Sequence, residues 1–161
     1  MDNYTIEVRN VLAVLSSHEE SASLRRALSG ADWTLSFAST LPDVEAALRV
    51  SAIGVVICGC HLAGGHGWKD LLNQVQKLPL PPQVIVADRL ADDALWAEAL
   101  NLGCYDLLAT PFATTEVSRV VSMAWEFWKR ETGRATARPK PPASARASDW
   151  SAGGTLAAGA N

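Results

Sequence analysis

The sequence has little of what several classes of protein require. It contains three cysteines in 161 residues, and this odd number does not fit the disulfide framework of a small secreted protein. No stretch approaches the roughly 18 consecutive apolar residues of a membrane span. The first ten residues, MDNYTIEVRN, lack the positive start and apolar core of a secretory signal. We therefore expect a cytoplasmic protein that makes no use of a membrane.

Basic residues are scarce in most of the chain. Residues 1–128 carry 8 Lys or Arg against 15 Asp or Glu, whereas residues 129–161 carry 6 against 2, within a formal net charge of −3. An acidic folded part disfavours a nucleic-acid groove, because phosphate binding depends on clustered Lys and Arg. Nucleic acid is therefore not expected as a partner of the folded part, although the basic tail alone could bind it weakly.

Apolar runs alternate with helical patterns along most of the chain. The predicted strands are 11–15, 33–38, 53–58, 84–87 and 105–109, and the predicted helices are 19–28, a stretch opening at Pro42, 68–78, 92–102 and 114 to about 130. Five strands alternating with five helices favour an α/β fold, a doubly wound parallel sheet with helices on both faces. With 48% hydrophobic residues, one domain of this length can bury a single core.

The two ends of the chain differ from this domain. We assign residues 1–9 to an N-terminal extension, 10–130 to the domain and 131–161 to a disordered tail rich in Ala, Pro, Gly and Ser. Such a composition cannot bury enough apolar surface to offset its ordering entropy. Trp150 is the one residue of the tail that could dock elsewhere.

Three segments carry a resemblance to a known family. They are VLAVLSSHEESASLRRAL, VVICGCHLAGGHGW and ALNLGCYDLLATPF, and they resemble the receiver domain of bacterial two-component response regulators over roughly residues 10 to 130. The third is similar to the family's Leu-x-x-Gly-Ala-x-Asp-Tyr-Leu-x-Lys-Pro-Phe. The residues that match this pattern are Leu100, Gly103, Asp106, Leu108, Pro111 and Phe112. The resemblance implies the CheY-like, flavodoxin-like strand order 2-1-3-4-5.

The resemblance also implies a chemistry whose groups are missing here. A receiver forms an aspartyl phosphate at the end of its third strand, uses two acids after the first strand to hold Mg²⁺, and binds the phosphoryl oxygens with a Ser or Thr and a Lys. In this sequence the acid pair falls on Leu15 and Ser16, the phosphoacceptor on Gly59, the Ser or Thr on Asp88, and the Lys on Thr110. We therefore expect a degenerate phosphorylation site, no Mg²⁺ or other cofactor, and no enzymatic activity.

The main hypothesis is a stand-alone pseudo-receiver that acts by protein–protein interaction in two-component signalling or phosphorelay. Its partner is a protein of the pathway or a second copy of the chain, bound through the face made by the fourth helix, fifth strand and fifth helix. Candidate residues of that surface are Trp96, Leu107, Trp125 and Phe127. Alternatively, the aromatic rings only cover the open edge of the sheet.

Two other functions remain open from the sequence. One is a ligand or redox sensor that uses an altered pocket around Cys60, His61, His66 and Asp88. Together with Cys58 and Cys104 these residues raise the question of a soft metal site, but their spacing is not a zinc signature, and no metal is expected. The other is a conventional phosphorylated response regulator.

Overall fold

Strands and helices alternate throughout residues 7–30 and 32–137, the part of the chain that the computed structural model describes. The strands are β1 (Arg9–Val14), β2 (Trp33–Phe37), β3 (Ile53–Gly59), β4 (Gln83–Asp88) and β5 (Asp106–Ala109). The helices are α1 (His18–Ala27), α2 (Leu41–Val50), α3 (Trp68–Gln76), α4 (Asp93–Leu102) and α5 (Thr114–Ala137). All strand pairs are parallel, in the order β2-β1-β3-β4-β5. The α/β fold class and strand order expected from the sequence are confirmed.

The central strand β3 explains why the sheet is covered on both faces. Its sequence IGVVICG is buried from Ile53 to Cys58, and successive side chains of a strand point to opposite faces. Val55 and Ile57 belong to a core that includes α1 and α5 residues. Val56 and Cys58 belong to the core that includes residues of α2 and α3. A continuous apolar run is what a strand with two buried faces needs.

Local signals set the ends of the helices. The Ser17 hydroxyl accepts a hydrogen bond from the amide of Glu20 at the start of α1, and Asp92 accepts one from Leu95 at the start of α4. Both bonds satisfy amides that have no partner inside the helix. Gly103 ends α4 with φ of 109°, a left-handed conformation that favours glycine.

Two elements extend a few residues beyond the ends assigned to the domain. Strand β1 begins at Arg9, inside the assigned extension, and α5 continues to Ala137, beyond the predicted end at about 130. A formed helix extends at lower cost than a new one starts, and Arg134 pairs with Glu131 one turn away at 3.3 Å. Composition alone did not reveal this continuation. The rest of the predicted tail, with Trp150, and residues 1–6 of the extension lie outside the described residues.

Membrane insertion finds no support in the helices. Within residues 7–30 and 32–137, no helix is both long and apolar enough to cross a bilayer.

Candidate functional site

The register of the sheet brings the predicted site positions to one edge. Val14 pairs with Cys58, so Leu15 and Gly59 follow at the same level of the neighbouring strands β1 and β3. Asp88 ends β4 and lies beside Ala109 of β5, which precedes Thr110. The carboxyl ends of parallel strands are where α/β proteins place their ligands. The five positions therefore form one edge, as the sequence predicts.

The five positions at this edge carry a leucine, a serine, a glycine, an aspartate and a threonine. Gly59 has no side chain, Leu15 is apolar and half-buried, and Ser16 is exposed. Asp88 is the one carboxylate of the five, and its Oδ2 accepts a hydrogen bond from the amide of Leu90 at 3.3 Å. Among the described residues, no group of three or more His, Cys, Asp or Glu side chains could hold a metal ion.

Thr110 stands where the resemblance places a lysine, and it points into the protein. Only 7% of its surface is exposed, and its hydroxyl oxygen has no hydrogen-bond partner among the described residues. Its amide donates to the carbonyl oxygen of Asp88 at 3.1 Å. The Thr110 backbone is thus hydrogen-bonded to β4, and its side chain carries no positive charge.

Cys60 lies against Asp88 rather than in a reactive environment. Partial burial raises the pKa of the Cys60 thiol to about 11, with a further contribution from the charge and hydrogen bond of the Asp88 carboxylate. Burial also raises the pKa of Cys104, to about 12, and that of Cys58. Because the thiolate is the reactive form, all three cysteines are protonated and unreactive near neutral pH.

The four residues of the predicted sensor pocket lie on the loop between β3 and α3 and at the end of β4. His66 Nδ1 lies 3.6 Å from Asp70 Oδ2 at the start of α3, on a loop that turns at Gly64 and Gly65 with φ of 83° and 77°. His61 faces a different cavity, whose lining includes none of the other three. A pocket shared by Cys60, His61, His66 and Asp88 stays a prediction, with His61 on a cavity that the other three do not line.

The cavity that His61 faces was not expected from the sequence. It has a volume of about 590 Å³ and lies where β1 and β2 end, against the first turns of α1. Its polar lining consists of four serines, His18, His61 and Arg25, and its apolar wall includes Phe37. Helical spacing places Ser17, Ser21 and Arg25 on one face of α1, a signal that the sequence does contain. Only the fold brings Phe37 and His61 to that face.

A second surface is formed by α4, β5 and α5, and we call it the α4–β5–α5 surface. Trp96 is 49% exposed there and Phe127 is 40% exposed. The Phe127 ring packs on Tyr105 with 5.9 Å between ring centroids. A groove of about 440 Å³ beside Trp96 is lined by four carboxylates and Arg119. The surface combines exposed aromatic rings with charges of both signs.

Two of the four residues predicted for that surface are buried instead. Leu107 belongs to the core beneath α4. Trp125 is 2% exposed and packs edge-on against Trp33, with 6.4 Å between ring centroids. Its burial follows from helical spacing, because Trp125 comes four residues after the inward-facing Val121. Trp125 therefore lies in the core and off this surface, whereas Leu107, although only 8% exposed, lines the groove beside Trp96.

Comparison with known proteins supports the fold. No protein-family model matches the sequence, and no curated protein matches it. Among solved structures, the signal receiver domain of an HD domain-containing protein from Pseudomonas fluorescens Pf-5 is 26% identical, with a TM-score of 0.72 over 83% of this chain and 99% of that one. The chemotaxis response regulator CheY4 of Vibrio cholerae is 14% identical, with a TM-score of 0.65 over 73% and 99%.

A third similar structure is the beryllofluoride-activated NtrC4 receiver domain dimer. It is 19% identical to this chain, with a TM-score of 0.66, over 74% of this chain and 98% of that one. Each of these structures is matched over nearly its whole length. The resemblance to receiver domains is thereby confirmed, and the chain has the CheY-like receiver fold.

Proposed function

We propose that this chain is a cytoplasmic signalling module of the two-component type that works without an aspartyl phosphate and without Mg²⁺. The observation that carries this proposal is the glycine at position 59. Gly59 lies at the end of the central strand, in register with Ala87 of β4, where the resemblance places the phosphoacceptor. A backbone without a side chain has no oxygen nucleophile to offer.

The other positions at the same edge favour the same function. Leu15 and Ser16 supply no carboxylate for a divalent cation, which prefers oxygen ligands. Asp88 would repel a phosphoryl group where a neutral hydroxyl should donate to it. A redox sensor is less well supported, because the pKa of Cys60 is raised to about 11. With no catalytic group left at this edge, we infer that the module acts by binding a protein.

For the partner we favour a second copy of this chain, bound through the α4–β5–α5 surface. A two-fold interface places the same patch of each copy against the other. Arg119 of one copy can then meet the carboxylates of the facing groove, Asp92, Asp93, Asp106 and Glu116. Exposed Trp96 and Phe127 supply the apolar centre that such interfaces use. The dimeric NtrC4 receiver domain has a similar fold.

The proposal is tested by attempted phosphorylation. The full chain is incubated with Mg²⁺ and acetyl phosphate, and separately with beryllofluoride, beside a receiver domain that is competent for phosphorylation. We expect no phosphoryl adduct by intact-mass spectrometry and no beryllofluoride-induced change in tryptophan fluorescence. A stoichiometric adduct on this chain would overturn the proposal.

A further inference from the structure

The cavity between the ends of β1 and β2 has the size of a binding site for a small molecule. Its volume of about 590 Å³ falls in the range of about 300–1,000 Å³ that is usual for such sites. It lies at the carboxyl edge of the sheet, beside the degenerate phosphorylation positions. Since Leu15 and Ser16 both line it, it occupies the β2 side of that edge.

The described residues that line the cavity offer hydrogen-bond donors and no carboxylate. No carboxylate occurs among the described residues that line it, which offer four hydroxyls, two imidazoles and one guanidinium. The groove beside Trp96 has the opposite character, with four carboxylates and a single arginine. Hydroxyl and guanidinium groups are hydrogen-bond donors suited to phosphate oxygens. A cavity without carboxylates is unexpected in a domain whose acidic residues outnumber its basic ones.

Arg25 supplies the guanidinium of this cavity, and that group lies over an aromatic ring. Its guanidinium lies 4.9 Å from the centroid of the Phe37 ring, and within residues 7–30 and 32–137 no carboxylate forms an ion pair with it. A guanidinium over a ring can still donate N–H hydrogen bonds to a ligand. Glu19 and Glu20, on the first turn of the same helix, line another cavity. Arg25 is therefore available to a ligand.

The two uncharged residues that support the proposed function, Leu15 and Ser16, also favour an anion at this edge. Where the resemblance places two carboxylates, Leu15 and Ser16 carry no charge, so a phosphate at this edge meets no like charge from them. A bare phosphate would occupy only a small part of the cavity. Val14, Phe37 and Leu62 form an apolar wall that a larger organic group can contact.

We propose that this cavity binds a phosphate monoester of nucleotide size. The phosphate accepts hydrogen bonds from Arg25 and the serine hydroxyls, and the organic part packs on the wall that contains Phe37. This inference rests on the loss of the acid pair invoked in the proposed function, but it concerns a different activity. Ligand binding would give the signalling module an input that requires no covalent modification.

Equilibrium dialysis of the full chain against radiolabelled AMP tests this inference. We expect saturable binding of one AMP per chain, tighter than that of inorganic phosphate or adenosine. Arg25→Met should weaken AMP binding about tenfold or more, since it removes a charge-assisted hydrogen bond. Arg26→Met is the matched control, because the neighbouring Arg26 lines another cavity, and it should leave AMP affinity unchanged.

Several results would overturn the inference. These are the absence of saturable AMP binding, equal affinity for AMP and inorganic phosphate or adenosine, and AMP affinity that is unchanged in Arg25→Met. Circular dichroism of both variants verifies that they are folded. Failure here is distinct from failure of the proposed function, because the phosphorylation assay reports a covalent adduct and dialysis reports reversible binding.

Discussion

Cys60 lies beside Asp88 across the ends of β3 and β4, and the carboxylate adds to the burial that raises the pKa of the thiol. The pair occupies the edge where the resemblance places a phosphoacceptor and a phosphate-binding hydroxyl. The proposed function without an aspartyl phosphate agrees with this pair, because a carboxylate repels phosphoryl oxygens. The edge keeps the strand register of a receiver while its side chains have another chemistry.

The thiol of Cys60 should react slowly at neutral pH. With its pKa raised to about 11, little thiolate is present at pH 7–8, and the rate of alkylation by iodoacetamide should rise until the pH exceeds 11. Asp88→Asn removes the nearby negative charge and should lower the pKa and speed the reaction at pH 8. Mass spectrometry of peptides measures the rate at Cys60, with the buried Cys58 as an internal control. Fast alkylation of Cys60 in the native protein at pH 7 would contradict this prediction.

The same pKa shift makes stability depend on pH. A thiol whose pKa is higher in the folded state stays protonated there when the unfolded chain has already lost its proton. The contribution of Cys60 is therefore complete below about pH 9 and is lost as pH rises toward 11. Urea unfolding across this range should show a smaller decline for Cys60→Ser than for the native sequence. Equal declines in the two proteins would show that Cys60 does not cause the loss of stability at high pH.

Trp125 should be essential for stability, whereas Trp96 should not. Trp125 is almost completely buried against Trp33, and Arg9 lies 4.8 Å from its ring centroid. Trp125→Ala should lower the free energy of unfolding by about 3–5 kcal/mol. Trp96→Ala, at an exposed position, should change it by less than about 0.5 kcal/mol. Urea denaturation at one low protein concentration compares the two, and similar losses would contradict the assignment of surface and core.

A side chain at position 54 should lower the stability of the fold. A Cβ atom there would lie 2.7 Å from the Trp128 ring and 2.9 Å from that of Trp125, so Gly54→Ala should cost about 1–3 kcal/mol through overpacking. Gly30→Ala is the matched control, because a Cβ at Gly30 meets nothing within 4 Å. Thermal unfolding followed by circular dichroism should show a lower midpoint for the first variant only. An unchanged midpoint in Gly54→Ala would contradict the close packing of α5 on β3.

Self-association should depend on Trp96. If two copies meet through the α4–β5–α5 surface, Trp96→Ala removes an aromatic ring from the centre of the interface and should raise the dimer dissociation constant at least tenfold. Val50→Ala is the control, because Val50 is an exposed apolar residue of α2, outside that surface. Sedimentation equilibrium measures both variants. Equal weakening in the two, or a monomeric native chain at high concentration, would exclude this dimer.

Much of the architecture follows from local patterns. The buried run in β3 and the Gly103 helix end each depend on a few neighbouring residues, so the sequence predicts them well. The end of α5 depends on how far a helix continues into a polar segment. The composition of residues 131–161 predicts disorder and does not indicate that the helix continues to Ala137. The burial of Trp125 agrees with its spacing of four residues from Val121, a local signal that the sequence contains.

The sequence by itself determined the order of the strands and helices and the residue types at the carboxyl edge, including a glycine at position 59. Those features depend on hydrophobic periodicity and on chemical identity, and both are written in the chain. Only the tertiary structure decided that His61 faces Arg25 and Phe37 rather than Asp88, and that Cys60 pairs with Asp88. Contacts between distant segments depend on strand register and on the direction of each side chain, which local patterns do not encode.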